Sequence, residues 1–326
     1  MEVPEKYAYL CGVVQRCSTT TPHIQRTNAM KKQLVTILAI LCLGTLTSGA
    51  QILWKISGNG LQKPSYLLGT HHLAPVEMLD TLTGFNEALA AVDRVYGEME
   101  MSESATPQAQ QIMMAAATAP ADSTLSVLLS PTQADSLNAL LTSSLGSMYN
   151  TAALNGVKPA MVSTLIALAQ NRTAFPDFNP SRQLDTEIQT RAISMGKEVA
   201  GLETITDQCN AMFGSPLTQQ TDELMSTVRN SDKAISMVKK LADAYIKGDL
   251  MAMLAIIDDP ETGISGESAD RLINDRNIRW SHILAGILPT MTIMIAVGAG
   301  HLPGDKGLIN LLRKDGYNVE PVSKQS

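Results

Sequence analysis

Two stretches near opposite ends of the chain decide the fold: SYLLGTHHLAP at residues 65–75 and IMIAVGAGHLP at residues 293–303. Each begins as an apolar run typical of a buried β-strand and continues as Gly-x-x-His-Leu with a proline close behind. A glycine three positions before a given histidine is expected by chance in about 7% of cases. Its repetition in the same context indicates an internal pseudo-repeat, with two strands that end in histidine-bearing turns.

The other strand patterns cluster beside these two stretches. Strands are predicted within 52–56, 65–70, 92–99, 292–297 and 317–322. From about 102 to 290 the pattern is mainly helical, with one short strand pattern at 197–202. We predict a mixed α/β (α+β) fold, with a central mixed sheet built from the N- and C-terminal parts of the chain. Helices flank this sheet, and a long helical insertion occupies about 102–290.

The first fifty residues are typical of a targeting segment. Met30 and two lysines precede a mostly apolar run, and small residues follow up to Ala50. This is the three-part pattern of a secretory signal, and its apolar run is shorter than the about 20 residues of a membrane span. We predict an upstream extension or misplaced start at 1–29, a signal peptide at 30–50 and a single domain at 51–326. An uncleaved N-terminal anchor is the alternative.

These segments also predict where the protein acts. The mature chain is expected to be exported to the periplasm or the extracellular space, either free or associated with the envelope, without a stable membrane span. The full chain carries 25 basic and 31 acidic residues, a formal charge of −6. That balance argues against a nucleic-acid partner, because binding to phosphates requires a basic excess.

The histidine-bearing turns are the candidate chemical site. Side chains from separate strand ends converge on one crevice in an α/β sheet, and neutral imidazole is the commonest metal ligand. His72, His301 and a carboxylate from a third strand end, Glu98, could therefore hold a divalent ion. A histidine at a strand end is also commonly a hydrogen-bonded structural residue, so both interpretations stay open on the residues alone.

The paired motifs resemble those of the TraB/GumN family, which includes the pheromone-shutdown proteins and the Tiki metalloproteases. The matching segments span essentially 51–322 and include the opening Trp54-Lys55-Ile56, the Gly201-Leu202-Glu203-Thr204 motif and the Arg276-Asn277 motif. The resemblance implies that His72, His301 and Glu98 are the family's shared site residues. In the Tiki branch it implies a metal-dependent peptidase, whereas the bacterial GumN-like branch, which this chain resembles more, has no settled substrate or activity.

We therefore expect an exported metal-dependent hydrolase, most simply a peptidase, acting on a peptide or protein. His72, His301 and Glu98 would hold Mn, Co or Zn and activate water, or Glu98 would be the general base. The alternatives are a non-catalytic envelope binding protein on the same scaffold and a metal-independent, esterase-like hydrolase. Supporting roles, in substrate binding or behind the site, are expected for His71, Glu203, Arg276 and Asn277.

Overall fold

A computed structural model describes residues 51–323, apart from 180, 181, 260, 262 and 265. The predicted extension and signal peptide lie outside the described residues. Among the residues it does describe, no helix is both long and apolar enough to cross a membrane.

The described residues form one six-stranded mixed sheet in the order β4-β3-β5-β2-β1-β6. The strands are β1 (Leu53–Gly58), β2 (Ser65–Thr70), β3 (Arg94–Gly97), β4 (Glu198–Gly201), β5 (Ile293–Gly298) and β6 (Tyr317–Pro321). Adjacent strands from β4 to β2 run parallel, and β1 pairs antiparallel with both β2 and β6. The two strands of the opening motifs are direct neighbours, with Thr70 opposite Gly298 in the register.

The burial of each strand follows its sequence pattern. The first five residues of β5 are buried, as expected for a parallel strand covered on both faces. In β6, at the edge, Tyr317 and Val319 are buried and alternate with exposed residues. The apolar run Ile293–Val297 therefore marks the middle of the sheet, and alternation marks its edge.

Helices pack on the sheet, and some of them also pack against one another around a second, smaller hydrophobic core. They are α1 (Met78–Thr81), α2 (Phe85–Ala91), α3 (Met101–Ser104), α4 (Pro107–Ala117), α5 (Leu125–Leu128), α6 (Pro131–Leu145), α7 (Pro159–Ala174), α8 (Leu184–Ser194), α9 (Ile205–Phe213), α10 (Leu217–Arg229), α11 (Ser231–Ile246), α12 (Leu250–Ile257), α13 (Gly266–Ala269), α14 (Asp275–Ile287) and α15 (Leu308–Lys314). A π-helical turn (Asp270–Asn274) leads into α14, and a 3-10 turn (Ala299–His301) follows β5. The main core surrounds the sheet, whereas α6, α7 and α10 share a smaller cluster around Leu137, Ile166 and Leu224.

The predicted fold class is confirmed. The structure is a mixed α/β fold whose sheet unites strands from both ends of the chain, flanked by helices. It adds one feature: the short strand predicted inside the helical stretch, β4, joins the same sheet as its edge strand beside β3. This pairing brings the residues after β4 to the same sheet edge as the histidine turns.

Candidate functional site

Each of the four parallel strands is followed, at its carboxyl end, by a polar residue of the candidate site. His72 follows β2, Glu98 follows β3, Glu203 follows β4 and His301 follows β5. Because parallel strands end at the same edge of a sheet, residues far apart in the chain are brought together there. This edge is the site that the sequence predicts.

Arg276, in the first turn of α14, lies at the centre of the buried part of the site. Its Nε and Nη2 donate to the two carboxylate oxygens of Glu203, at 3.1 and 2.7 Å, and Nη2 also donates to Glu98, at 2.5 Å. Its Nη1 lies 2.9 Å from the Leu272 carbonyl and 3.1 Å from His301 Nε2. The guanidinium therefore joins three of the four strand-end residues, and all of its nitrogens are engaged.

Glu98 is held as a carboxylate. Its Oε1 accepts a hydrogen bond from the backbone N–H of Gly298, at 2.8 Å. Burial by itself would raise the pKa of Glu98, but His301, Arg276 and the Gly298 N–H outweigh it and lower the pKa to about 2. The glycine allows this close approach, since a Cβ at Gly298 would lie only 3.2 Å from Glu98 Oε1.

His301 is buried and neutral at pH 7. Burial and, to a lesser degree, Arg276 lower its pKa to about 4, although Glu98 acts to raise it. The Asn277 amide nitrogen donates to the backbone carbonyls of His301 and Lys306, at 3.2 and 2.9 Å, so its oxygen faces the ring. That oxygen lies 2.7 Å from Nδ1 and can only accept, which places the ring proton on Nδ1. The Nε2 lone pair is therefore directed at Arg276.

The predicted Arg-Asn pair and Glu203 line the back of this site. Arg276 is 7% exposed and Asn277 is fully buried, and both contact His301. The carboxylate of Glu203 is completely covered and also accepts a hydrogen bond from Arg279, at 2.9 Å. A π-helical turn immediately before α14 supplies the Leu272 carbonyl that Arg276 contacts, and such turns are frequent at functional sites.

His72 lies on the exposed rim of the site, beside an aspartate. Its side chain is 68% exposed, and its Nδ1 is 3.3 Å from Asp185 Oδ2. The hydroxyl of Thr70 donates to the other oxygen of Asp185, at 2.7 Å, which fixes the carboxylate. The contact with Asp185 raises the pKa of His72 against the opposing effect of burial, and the charges of Asp185 and Glu98 add to it.

His71, the extra histidine of the first motif, faces a different partner. Its ring stacks on Tyr245 with 5.2 Å between centroids, and its Nδ1 accepts the N–H of Leu73 at 3.2 Å. Burial and His72 lower the pKa of His71 to about 4, whereas Asp185 acts to raise it. The hydroxyl of Tyr245 donates to the Gly69 carbonyl at 2.8 Å, so this pair supports the turn that carries His72.

Two contributors to the site escaped the sequence interpretation. Asp185 stands in the first turn of α8, where an acidic residue is ordinarily explained by the helix dipole. Arg279, on α14, resembles any partly exposed charge on a helix. Neither carries a local signal, because Asp185 meets Thr70 from 115 residues away and Arg279 meets Glu203 from 76 residues away.

The similarity to known proteins extends over these same residues. The sequence model of the TraB/PrgY/gumN family matches residues 52–321. The chain belongs to this family. The match includes both Gly-x-x-His turns, Glu98 and the Arg276-Asn277 pair, so every group described above lies within the family region.

Curated relatives of this family member are metalloproteases by name. Metalloprotease TIKI1 of Danio rerio is 23% identical over 313 residues, covering 82% of this chain and 62% of the relative. The metalloprotease TIKI homolog of Amphimedon queenslandica is 25% identical over 165 residues, covering 43% of this chain and 32% of the relative. The chain thus spans between about a third and three fifths of the length of these relatives. No solved structure matches the chain significantly.

The names of these relatives imply a metal, so the predicted ligands can be tested for fit. Glu98 Oε1 and His301 Nε2 are 3.7 Å apart, which would suit two ligands of one ion. However, the guanidinium of Arg276 contacts both groups and occupies the place of a cation between them. The ring of His72 pairs with Asp185 instead. Within the described residues, no three His, Cys, Asp or Glu side chains are placed to hold one ion. As arranged here, the residues do not fit a three-ligand metal centre.

Proposed function

We propose that this protein is an exported hydrolase that cleaves peptide bonds at the carboxyl edge of its sheet. One observation carries the proposal: the strand ends and the first turn of α14 bring an ionised glutamate, a buried arginine, a neutral histidine and a rim histidine to one edge of the sheet. Groups held in different protonation states at one edge are the usual requirement for acid–base chemistry. The relatives named metalloproteases support a peptide as the substrate.

The proposed role of each residue depends on how exposed its side chain is. His72 is exposed, and Asp185 contacts its Nδ1, so Nε2 is available to take a proton from an attacking water and to give it to the leaving amine as the peptide bond breaks. Arg276 is covered, and its N–H groups are already engaged. Its charge is balanced by the carboxylates of Glu98 and Glu203, so in this proposal Arg276 fixes the positions of Glu98 and His301.

Glu98 and His301 contact the guanidinium of Arg276 through different nitrogens. The carboxylate of Glu98 fixes one nitrogen of the guanidinium, and neutral His301 accepts from another without adding positive charge. Asn277 in turn holds the His301 ring in the tautomer that can accept. In this proposal, Asn277 and Glu203 are positioning residues and do not contact the substrate.

A metal-dependent form of the same reaction is the second candidate. The observation that favours it is the geometry of His301, whose Nδ1 is hydrogen-bonded to Asn277 while Nε2 lies 3.7 Å from Glu98 Oε1; a hydrogen-bond partner on the other ring nitrogen is usual for metal-ligating histidines. His72, His301 and Glu98 would be the ligands only after a rearrangement, in which Arg276 releases His301 Nε2 and Glu98 and His72 leaves Asp185.

The test uses the purified full chain and a mixture of unstructured peptides analysed by mass spectrometry. We expect cleavage by the wild type and its loss in His72→Ala and in Arg276→Ala. The matched control is His282→Ala, because His282 is an exposed histidine on α14 outside these contacts. Failure of the wild type to cleave any peptide would overturn the proposed function, and full activity in His72→Ala would overturn the role of His72.

Two further measurements separate the candidates and test export. Activity that survives a chelator favours the metal-independent reaction, whereas loss and recovery with Mn, Co or Zn favours the second candidate. N-terminal sequencing of the mature protein is expected to begin at Gln51, and an intact Met1 or Met30 start would contradict cleavage after Ala50.

A further inference from the structure

A cleft of about 340 Å³ lies next to the rim histidine, a volume within the range of small-molecule sites, about 300–1,000 Å³. Its first wall is the segment 73–77, and its second wall is the segment 174–179 together with Arg182. Apart from Leu73, whose backbone N–H donates to His71 Nδ1, these residues belong to none of the contacts described for the candidate site, and nothing in the proposed chemistry uses them.

Both walls are continuous with the pair formed by His72 and Asp185. The first wall begins at Leu73, the residue immediately after His72, and the second wall ends at Arg182, three residues before Asp185. Since a chain spans at most about 3.6 Å per residue, Leu73 lies within about 4 Å of His72 and Arg182 within about 11 Å of Asp185 along the backbone. A substrate bond held at His72 would therefore have a neighbouring group over the cleft.

The floor of the cleft is apolar and its mouth is charged. Ala74, Val76 and Ala174 are buried lining residues, and the half-buried rings of Phe175 and Phe178 also line it. The whole chain contains only four phenylalanines, so two of them in one cleft is a marked concentration. Such a lining favours an apolar group over a charged one.

An ion pair at the mouth joins the two walls. Arg182 Nη2 lies 2.8 Å from Glu77 Oε1, and both side chains are more than half exposed. Glu77 and Arg182 neutralise each other, and the third charged lining residue, Asp177, is exposed to solvent, so a charged side chain in the cleft would lose water against an apolar floor. An uncharged side chain can enter without leaving a charge unpaired.

We propose that this cleft is a specificity subsite that receives one large apolar side chain, such as leucine or phenylalanine, of a peptide substrate beside the bond that is cleaved. The inference rests on the proposed function and deepens it, because it names the class of side chain that the site selects.

The experiment compares blocked hexapeptides that are identical except at one residue, which is Leu, Phe, Ala or Asp. For the wild type we expect kcat/KM to be about 10- to 200-fold higher for the Leu and Phe peptides than for the Ala peptide, and lowest for the Asp peptide. Phe178→Ala is expected to reduce this preference about tenfold through KM, with little change for the Ala peptide.

Two other variants test the subsite without relying on Phe178→Ala alone. Ala174→Phe fills the cleft from its second wall and is expected to remove the preference while leaving the Ala peptide cleaved. Tyr149→Ala is the matched control, because Tyr149 is a partly exposed aromatic residue outside the cleft lining. A thermal unfolding curve for each variant shows that it is folded.

Binding is measured in its own experiment, so that failure of the subsite proposal can be distinguished from failure of the proposed function. Calorimetric titration with the blocked amides of leucine, phenylalanine and alanine reports on the cleft even when no peptide is cleaved. Tighter binding of the Leu and Phe amides, lost in Phe178→Ala, supports the subsite whatever the activity. Equal binding of all three amides overturns it, as does cleavage with no preference at the varied residue, and the second result leaves the proposed function intact.

Discussion

The two Gly-x-x-His turns share one sequence pattern but end in opposite environments. His301 is 6% exposed, under the ring of Trp280 and against Arg276, and its pKa is lowered to about 4. The side chain of His72 is 68% exposed, pairs with Asp185 and has a raised pKa. The same motif therefore supplies one histidine that stays neutral and one that readily takes a proton.

The difference arises from what packs against each turn. The chain after β5 forms a 3-10 turn that places His301 beneath α14, where Asn277 and Trp280 enclose it. In the turn after β2, it is His71 that turns towards the core and stacks on Tyr245, which leaves His72 at the rim. Because the turn carries two consecutive histidines, one ring, His71, supports the turn and the other, His72, is accessible to solvent.

The largest expected effect comes from removing the charge that joins the buried groups. Arg276→Met leaves the carboxylates of Glu98 and Glu203 without one of their cations in a covered site. We expect a loss of about 3–5 kcal/mol in the free energy of unfolding, measured by urea denaturation, together with loss of activity. Arg279→Met, which removes the half-exposed partner of Glu203, is the control and should cost clearly less. Equal losses would show that Arg276 is not the centre of the cluster.

The two histidines should give stability a pH dependence of opposite sign. In the folded protein His301 stays neutral down to about pH 4, whereas in the unfolded chain it is protonated from about 6.5. The unfolded state therefore binds more protons between these values, and stability falls as the pH drops through them, by up to about 3 kcal/mol from this residue. His72, whose folded pKa is raised, contributes stability that is complete below its unfolded pKa and is lost as the pH rises through its folded pKa.

Urea denaturation across this pH range checks the prediction. The fall in stability on acidification should become shallower in His301→Gln and steeper in His72→Gln. A wild-type curve with no dependence between pH 6.5 and 4, unaffected by His301→Gln, would contradict the assignment of a buried neutral imidazole.

Alanine substitutions at His301 and His72 test the same difference between a buried and an exposed histidine. His301→Ala removes a buried ring and leaves the Asn277 oxygen without its partner, so we expect a loss of about 2–3 kcal/mol. His72→Ala should change stability by no more than about 0.5 kcal/mol, because the ring is mostly exposed. Both variants should lose peptide cleavage. Comparable stability losses would indicate that His72 is also structural.

The smallest expected effect concerns the partner of the rim histidine. Asp185→Asn keeps an oxygen for the Thr70 hydroxyl but removes the charge beside His72, so stability should change little. The pKa of His72, followed by NMR of its ring protons, should fall towards its ordinary value, because the interaction with Asp185 is the largest cause of its shift. Since a misplaced or weakened base costs up to about 100-fold, we expect activity to fall about tenfold. An unchanged pKa of His72 would show that Asp185 does not act on the site.

The sequence predicted much of this arrangement because the signals were local. Apolar runs marked the strands, glycines marked the turns, and Glu98 stood at a predicted strand end, so the strand-end residues could be listed before the sheet was known. The union of strands from both chain ends in one sheet is confirmed. The placement of β4 beside β3 was not predictable, because a four-residue strand gives no sign of its partner.

By itself, then, the sequence determined which residues stand at strand ends and which turns carry histidine, since these depend on near neighbours. Only the tertiary structure decided which histidine is buried, that Arg276 lies between Glu98 and His301, and that Asp185 reaches His72. Those contacts join positions as far apart as Glu98 and Arg276, 178 residues along the chain. Burial and protonation depend on every element that packs around a group, and no local pattern contains that information.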